Sequence, residues 1–169
     1  GVIAPHLETP AEARMMADAC MYPPMGHRSA SSTVPYFRYR NWPTAPSRAR
    51  VNDQTMLICQ IETELGIENA EAIASVDGVA MLLLGANDLT ADMGIPGEYG
   101  HERHVNAVGR MIDGAKKAGK HAAIAGVGSP ELMKTFYDMG ARLFSLGTDT
   151  GAFVASAKSQ AAIAQKMAG

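Results

Sequence analysis

Two apolar runs of strand length, each stopped by a carboxylate, constrain this chain more than any other feature. One is Met56-Leu57-Ile58-Cys59-Gln60-Ile61-Glu62-Thr63, and the other is Leu82-Leu83-Leu84-Gly85-Ala86-Asn87-Asp88-Leu89. A strand buried on both faces reads as a continuous apolar run rather than as an alternation. Leu57-Ile58-Cys59 and Ala80-Met81-Leu82-Leu83-Leu84 read that way. Glu62 and Asp88 then stand just past the carboxyl ends of two strands, the rim at which α/β sheets and barrels bind ligands. Paired rim carboxylates are the hard oxygen ligands that Mg²⁺ or Mn²⁺ takes. Acidic residues also start helices, so either carboxylate alone is compatible with a cap. The two together, at matching strand ends, favour a site.

The same strand–helix rhythm runs along the chain. Val2 to Leu7 is predicted as a first strand. Thr9, Pro10 and Glu12 supply an N-cap, a proline at the first helical position and a capping box. Ala13, Met16, Ala17 and Cys20 follow at helical spacing. Further strands are predicted over 56–61, 79–84, 121–125 and 143–146, and helices over about 64–75, 102–118, 130–139 and 151–167. Residues 90–100 are predicted as loop. Such alternation means parallel strands with right-handed crossovers. Strand starts 22 residues apart (121 to 143) or 23 apart (56 to 79) are close to the repeat of a (β/α)₈ TIM barrel. A full barrel needs eight units and about 250 residues, and five units are visible here. The fold class is therefore α/β, with residues 1–169 read as a single domain that forms the C-terminal five β/α units of a TIM barrel. The chain opens at Gly1 already inside a buried-strand pattern, which suggests that an N-terminal barrel segment precedes it. The other arrangement is a small doubly wound sheet complete in itself, but no glycine-rich phosphate loop follows the first strand.

Between Pro23 and Gln54 no clean period appears. Five prolines (Pro23, Pro24, Pro35, Pro43, Pro46), a serine cluster (Ser29, Ser31, Ser32) and five arginines (Arg28, Arg38, Arg40, Arg48, Arg50) mark an irregular excursion. Tyr36, Phe37, Tyr39 and Trp42 argue against disorder, because such side chains normally find something to pack on. The excursion is read as covering a site or joining a neighbouring subunit, with part of 47–52 helical.

Composition limits the function classes. A hydrophobic content of 47%, a charged content of 19% and a formal net charge of −2 describe an ordinary globular chain. They leave no basic surface for nucleic acid and no polybasic membrane anchor. No apolar run approaches the roughly 20 residues of a membrane span, and no signal peptide is visible. Cys20 and Cys59 fall on a helix pattern and a buried-strand pattern, which reads as a pair of reduced cysteines in a cytoplasmic protein.

Four stretches carry a resemblance. Gln60-Ile61-Glu62-Thr63, Gly85-Ala86-Asn87-Asp88-Leu89, Tyr22-Pro23-Pro24-Met25-Gly26-His27-Arg28 and Pro5-His6-Leu7-Glu8-Thr9 resemble the class II pyruvate-dependent aldolases of the 4-hydroxy-2-oxoheptanedioate aldolase family, whose relatives include citrate-lyase-like and macrophomate-synthase-like enzymes. The resemblance implies that Glu62 and Asp88 are the metal ligands and that Gln60 is a catalytic residue near the substrate's keto group. It implies that the turn Gly85, Ala86, Asn87 and Asp88 holds the pyruvate carboxylate through backbone amides. Family members usually have Gly-Pro-Ala-Asp there, so Asn87 alters the pocket. Val127, after the fourth predicted strand, is placed with the substrate-binding residues. The family's catalytic histidine and pyruvate-clamping arginine belong to the first barrel units and are assigned to no residue here. The implied cofactor is a divalent metal ion, Mg²⁺ first, with Mn²⁺ or Co²⁺ as alternatives. The implied partners are a small oxo-acid substrate, the missing N-terminal segment and further copies of the chain in a homo-oligomer.

Chemistry points the same way. A divalent ion chelated by a 2-oxo acid polarises the keto oxygen and stabilises the enolate that forms as a carbon–carbon bond breaks. The alternative aldolase route uses a desolvated Schiff-base lysine, and none of Lys116, Lys117, Lys120, Lys134, Lys158 or Lys166 falls inside an apolar strand. Weaker candidates are His6 at a strand end, Arg28 for an anionic group, the His101/His104 pair on a solvated helix face, and Asp149 as a helix cap. The expected activity is a metal-dependent carbon–carbon lyase acting on 4-hydroxy-2-oxo acids. The competing reading is a non-catalytic binding or assembly module that keeps the metal rim.

Overall fold

The computed structural model describes residues 1–31 and 35–168. Ser32 of the serine cluster lies outside the described residues. Five strands, β1 (Val2–Ala4), β2 (Leu57–Ile61), β3 (Val79–Gly85), β4 (His121–Ala125) and β5 (Leu143–Phe144), form one sheet in the order β1-β2-β3-β4-β5. Every adjacent pair is parallel. The strand order never reverses, so the sheet lacks the switch point that defines a doubly wound fold. It is a five-stranded parallel α/β sheet of the kind found in a partial (β/α) barrel.

Strand alternation sorts the core. Ile58 lies beside Met81 and Gln60 beside Leu83 in the register of β2 and β3. Leu57, Cys59, Ile61, Leu82, Leu84, Ala122 and Ile124 point to one face and join the large core under the helices. Ile58, Met81, Leu83 and Ala123 point to the other and form a second, small cluster. The helices thus cover one face of the sheet, and the second face is the one that lines the inside of a barrel.

The helices form where the sequence predicts, with instructive differences. Helix α1 (Pro10–Cys20) carries the full capping box, with Thr9 accepting from the Glu12 N–H and the Glu12 carboxylate accepting from the Thr9 N–H. The Glu8 N–H, the Thr9 hydroxyl and the Thr9 N–H all donate to the Glu12 carboxylate and hold it below its ordinary value. Helix α2 (Thr44–Gln54) is longer than the predicted 47–52. Its Asn52 side chain accepts from the Tyr22 N–H and donates to the Tyr22 carbonyl, at 2.7 and 2.8 Å, and so ties the excursion to the end of α1.

The helix predicted over 64–75 is two helices, α3 (Glu64–Glu68) and α4 (Ala70–Ala74), broken at Asn69. The Asn69 amide donates to the Glu8 carbonyl at 2.8 Å, a tertiary bond that competes with helical continuity. The stretch predicted as loop after Asp88 begins as helix α5 (Ala86–Asp92). Helix α6 (Glu102–Lys117) buries Ala107, Val108, Met111, Ile112 and Ala115 at helical spacing. Helix α7 (Pro130–Met139) starts on Ser129 and stops at Gly140, and α8 (Asp149–Ala168) starts two residues earlier than predicted. Strand β1 ends at Ala4 rather than at Leu7. Pro5 has no N–H to donate, and His6 turns the chain with φ +54°. No helix of the described residues is long and apolar enough to cross a membrane.

Candidate active site

Glu62 follows the last residue of β2 and has the parity of Ile58 and Gln60, so it points to the face that the helices leave uncovered. Its side chain is only 3% exposed. A buried carboxylate must be hydrogen-bonded or paired. One oxygen, Oε2, accepts from the His6 backbone N–H at 2.8 Å, and the other, Oε1, accepts from the Gln60 amide at 2.5 Å. The His6 ring stands 3.4 Å from Oε2 but is 66% exposed. No lysine or arginine pairs with Glu62 among the described residues.

Gly85, the last residue of β3, closes the other side. A Cβ there would sit 2.6 Å from Glu62 Oε1 and 2.9 Å from Gln60 Nε2. Only glycine lets β3 run this close to the carboxylate, so Gln60, Glu62 and Gly85 form one packed unit. Ala86 is fully buried behind it. Asn87 and Asp88 are exposed in the first turn of α5. The Tyr99 hydroxyl donates to Asn87 Oδ1. Gly126, at φ +84°, lies over this turn, where its Cβ position is 3.5 Å from Asn87 Nδ2. The Val127 side chain is buried in the helix-side core.

Neither carboxylate caps a helix. Thr63, not Glu62, caps α3, accepting from the Gly66 N–H at 3.1 Å. The N-cap of α5 is Gly85, which has no side-chain cap. Asp88 is its third residue and has no hydrogen bond or ion pair among the described residues. No group of three or more His, Cys, Asp or Glu side chains among the described residues is arranged to hold a metal by itself.

The weaker candidates take other roles. Arg28 lies over the Tyr22 ring, 4.8 Å from its centroid. Asp149 accepts from the Thr150 N–H at the start of α8. His101 caps α6. His104 is not on a solvated face: it is fully buried, with Nδ1 on the Tyr99 carbonyl at 2.7 Å and Nε2 without a partner among the described residues. Burial pushes its pKa below the ordinary value of 6.5, against the opposing pull of the Tyr99 carbonyl. Both cysteines are free, and burial pushes the Cys59 thiol up to about 12, so it is inert as a nucleophile.

Sequence reasoning missed the helix at 86–92, although Ala86, Leu89, Thr90 and Met93 recur at helical spacing. It also missed the grip of His6 on Glu62. That grip runs through a backbone N–H turned by a positive φ, for which a sequence carries no direct signal.

Comparison with known proteins settles the family. The model described as HpcH/HpaI aldolase/citrate lyase matches residues 1–156. The chain belongs to the HpcH/HpaI aldolase/citrate lyase family. A 2-keto-3-deoxy-L-rhamnonate aldolase of Klebsiella pneumoniae subsp. pneumoniae is 31% identical over 150 residues, covering 88% of this chain and 55% of that protein. A hydroxypyruvate/pyruvate aldolase of Deinococcus radiodurans is 33% identical over 162 residues, covering 95% of this chain and 57% of that protein. The chain therefore spans little more than half the length of these HpcH/HpaI relatives. Among solved structures, macrophomate synthase superimposes with a TM-score of 0.78 at 26% identity, over 100% of this chain and 60% of that one.

Proposed function

We propose that this chain carries the metal rim of a class II aldolase, a carbon–carbon lyase that cleaves or forms 4-hydroxy-2-oxo acids from pyruvate and an aldehyde. The observation that carries the reading is Glu62: a carboxylate 3% exposed, on the uncovered face at a strand's carboxyl end, held by neutral donors and by no lysine or arginine. A buried anion with no full counter-charge is stabilised by a cation. The donor set fits a hard divalent ion, for which Glu62 and the unpartnered Asp88 are the proposed ligands. Mg²⁺ is the first choice, with Mn²⁺ or Co²⁺ as alternatives. Two protein carboxylates suffice where substrate and water fill the remaining positions. When bound, such an ion supplies Lewis acidity toward the keto oxygen of a 2-oxo acid.

The chain's own residues do the rest. Gln60 fixes the Glu62 carboxylate and stands nearest to where a keto group would lie. Gly85 leaves room for the Glu62 and Gln60 side chains against β3. The first-turn amides of α5, from Ala86 to Asp88, are left free by a glycine N-cap and serve the substrate carboxylate, with the Val127 backbone across from them. The wider proposal is that residues 1–169 are the C-terminal five units of an eight-unit barrel, working in the cytoplasm as a homo-oligomer. The two unpaired cysteines and the family membership support it.

Asp88→Asn tests the site. Asp88 is exposed and makes no hydrogen bond or ion pair among the described residues, so folding should not change. Metal affinity, measured by calorimetry, should fall at least about tenfold on loss of a charged ligand. Pyruvate release from a 4-hydroxy-2-oxo acid, measured with all eight units present, should be lost. Unchanged affinity and release would remove Asp88 from the site. Metal binding without pyruvate release in the unmodified protein would favour the non-catalytic module.

A further inference from the structure

The excursion that leads into β2 contains a pocket that the aldolase chemistry does not use. It has a volume of about 410 Å³, and its lining includes the aromatic residues Tyr36, Phe37 and Trp42 together with Arg38, Arg40 and Arg50. That volume is in the range of small-ligand sites. Buried Val51 contributes to its lining. The last turn of α2, which also lines it, feeds the N-terminal end of β2, whereas Glu62 follows the C-terminal end.

Its charge is unbalanced. Five arginines lie in the excursion, and two of them, Arg28 and Arg48, stack over the Tyr22 ring. The side chains of the other three, Arg38, Arg40 and Arg50, have no hydrogen bond, ion pair or ring partner among the described residues. Among the described residues no Asp or Glu lines the pocket. Asp53, on the same helix, faces a separate cleft beside Pro23 and Pro24. The backbone turns sharply within the pocket's lining segment: Arg38 and Tyr39 both adopt positive φ, +52° and +57°. Two consecutive non-glycine residues in that region are strained. In the same lining, Tyr36 and Phe37 meet edge to face with centroids 5.6 Å apart.

We propose that this pocket binds a small aromatic carboxylate, its carboxyl group held by Arg38, Arg40 and Arg50 and its flat apolar body against Tyr36, Phe37 and Trp42. Guanidinium forks match carboxylate oxygens in pairs, and aromatic walls favour a planar body over a hydrated one. A bare inorganic anion would leave the aromatic wall unused. A neutral aromatic would leave three like charges uncompensated.

Trp42 is the chain's single tryptophan, so its emission reports on the pocket directly. The chain is titrated with sodium benzoate, and in parallel with benzyl alcohol and with inorganic phosphate. A saturable change is expected with benzoate, with both controls weaker by about tenfold or more, the difference that one lost charge-assisted contact makes. Arg38→Gln and Arg50→Gln should each weaken benzoate by about fivefold or more on the same grounds. Both sites are exposed, and circular dichroism checks that the fold is kept. A linear, unsaturable response would overturn the proposal. So would equal binding of benzyl alcohol, or arginine variants that bind benzoate as the parent does. An emission that follows protein concentration and ignores benzoate would assign the pocket to a second copy of the chain and overturn it too.

Discussion

At Gly85 a single methyl group determines whether Glu62 keeps its place. The glycine has φ −97°, an ordinary value, so its requirement is for space and not for backbone freedom. In Gly85→Ala the new Cβ meets Glu62 Oε1 and Cγ at 2.6 and 2.8 Å. Glu62 cannot swing away without breaking its bonds to Gln60 and His6. The expected cost is about 1–3 kcal/mol of stability, read by urea denaturation, together with weakened metal binding in a calorimetric titration. An alanine variant that matches the parent in both would show that the rim is loose. His104 is the second residue with a measurable signature. Burial lowers its pKa in the fold, while the unfolded chain titrates it near its ordinary value of 6.5. The unfolded state therefore takes up the proton first as pH falls. His104's contribution is intact above about pH 6.5 and is lost as pH falls through the depressed folded value. Denaturation midpoints of the parent should drop between pH 7.5 and 5 more steeply than those of His104→Gln, which does not titrate. Equal slopes would mean that water or a neighbour satisfies Nε2.

The contact between α4 and α6 depends on close approach. Gly114 of α6 faces the start of α4 so tightly that a Cβ would sit 2.8 Å from the Glu71 N and 3.3 Å from the Ala70 Cβ. Both helices lie over the sheet, α4 burying Ile73 and Ala74 and α6 burying Met111 and Ile112. Gly114→Ala would gain about 1 kcal/mol in an isolated helix. Here it must push two packed helices apart, at a cost of about 1–3 kcal/mol. A net loss of thermal stability is expected, and a gain would show that the helices separate freely. The break at Asn69 belongs to the same scale. A continuous helix over 64–75 satisfies local propensity, but the Asn69 bond to the Glu8 carbonyl fixes where α3 stops and α4 begins.

At the scale of the molecule, the sheet has two free edges and one uncovered face among the described residues. Val2 and Ile3 of β1 and Leu143 of β5 are exposed. Every described side chain of α8 is exposed too, including Phe153, Val154, Ile163 and Met167. Free parallel edges and bare apolar helices are association surfaces. The 169-residue chain is expected to self-associate across its working concentrations rather than persist as a monomer. Sedimentation velocity showing one compact monomeric species with cooperative unfolding would contradict this.

The order of strands and helices was legible because each depends on local information. β4 runs from His121 to Ala125 and α7 from Pro130 to Met139, as predicted, since an apolar run and a Ser-Pro start with a glycine stop are written in consecutive residues. The placement of Glu62 and Asp88 just past the ends of β2 and β3 was legible for the same reason, as abrupt ends to apolar runs. What sequence could not decide depends on contacts between residues far apart. That Glu62 is buried follows from His6, 56 positions earlier, and from the approach of Gly85. That His104 sits in the core rather than on a wet face follows from Phe136 and Tyr99 closing around it. That the sheet is singly wound follows from which face each crossover took. Periodicity says which side of an element is apolar; only the packed chain says what that side meets.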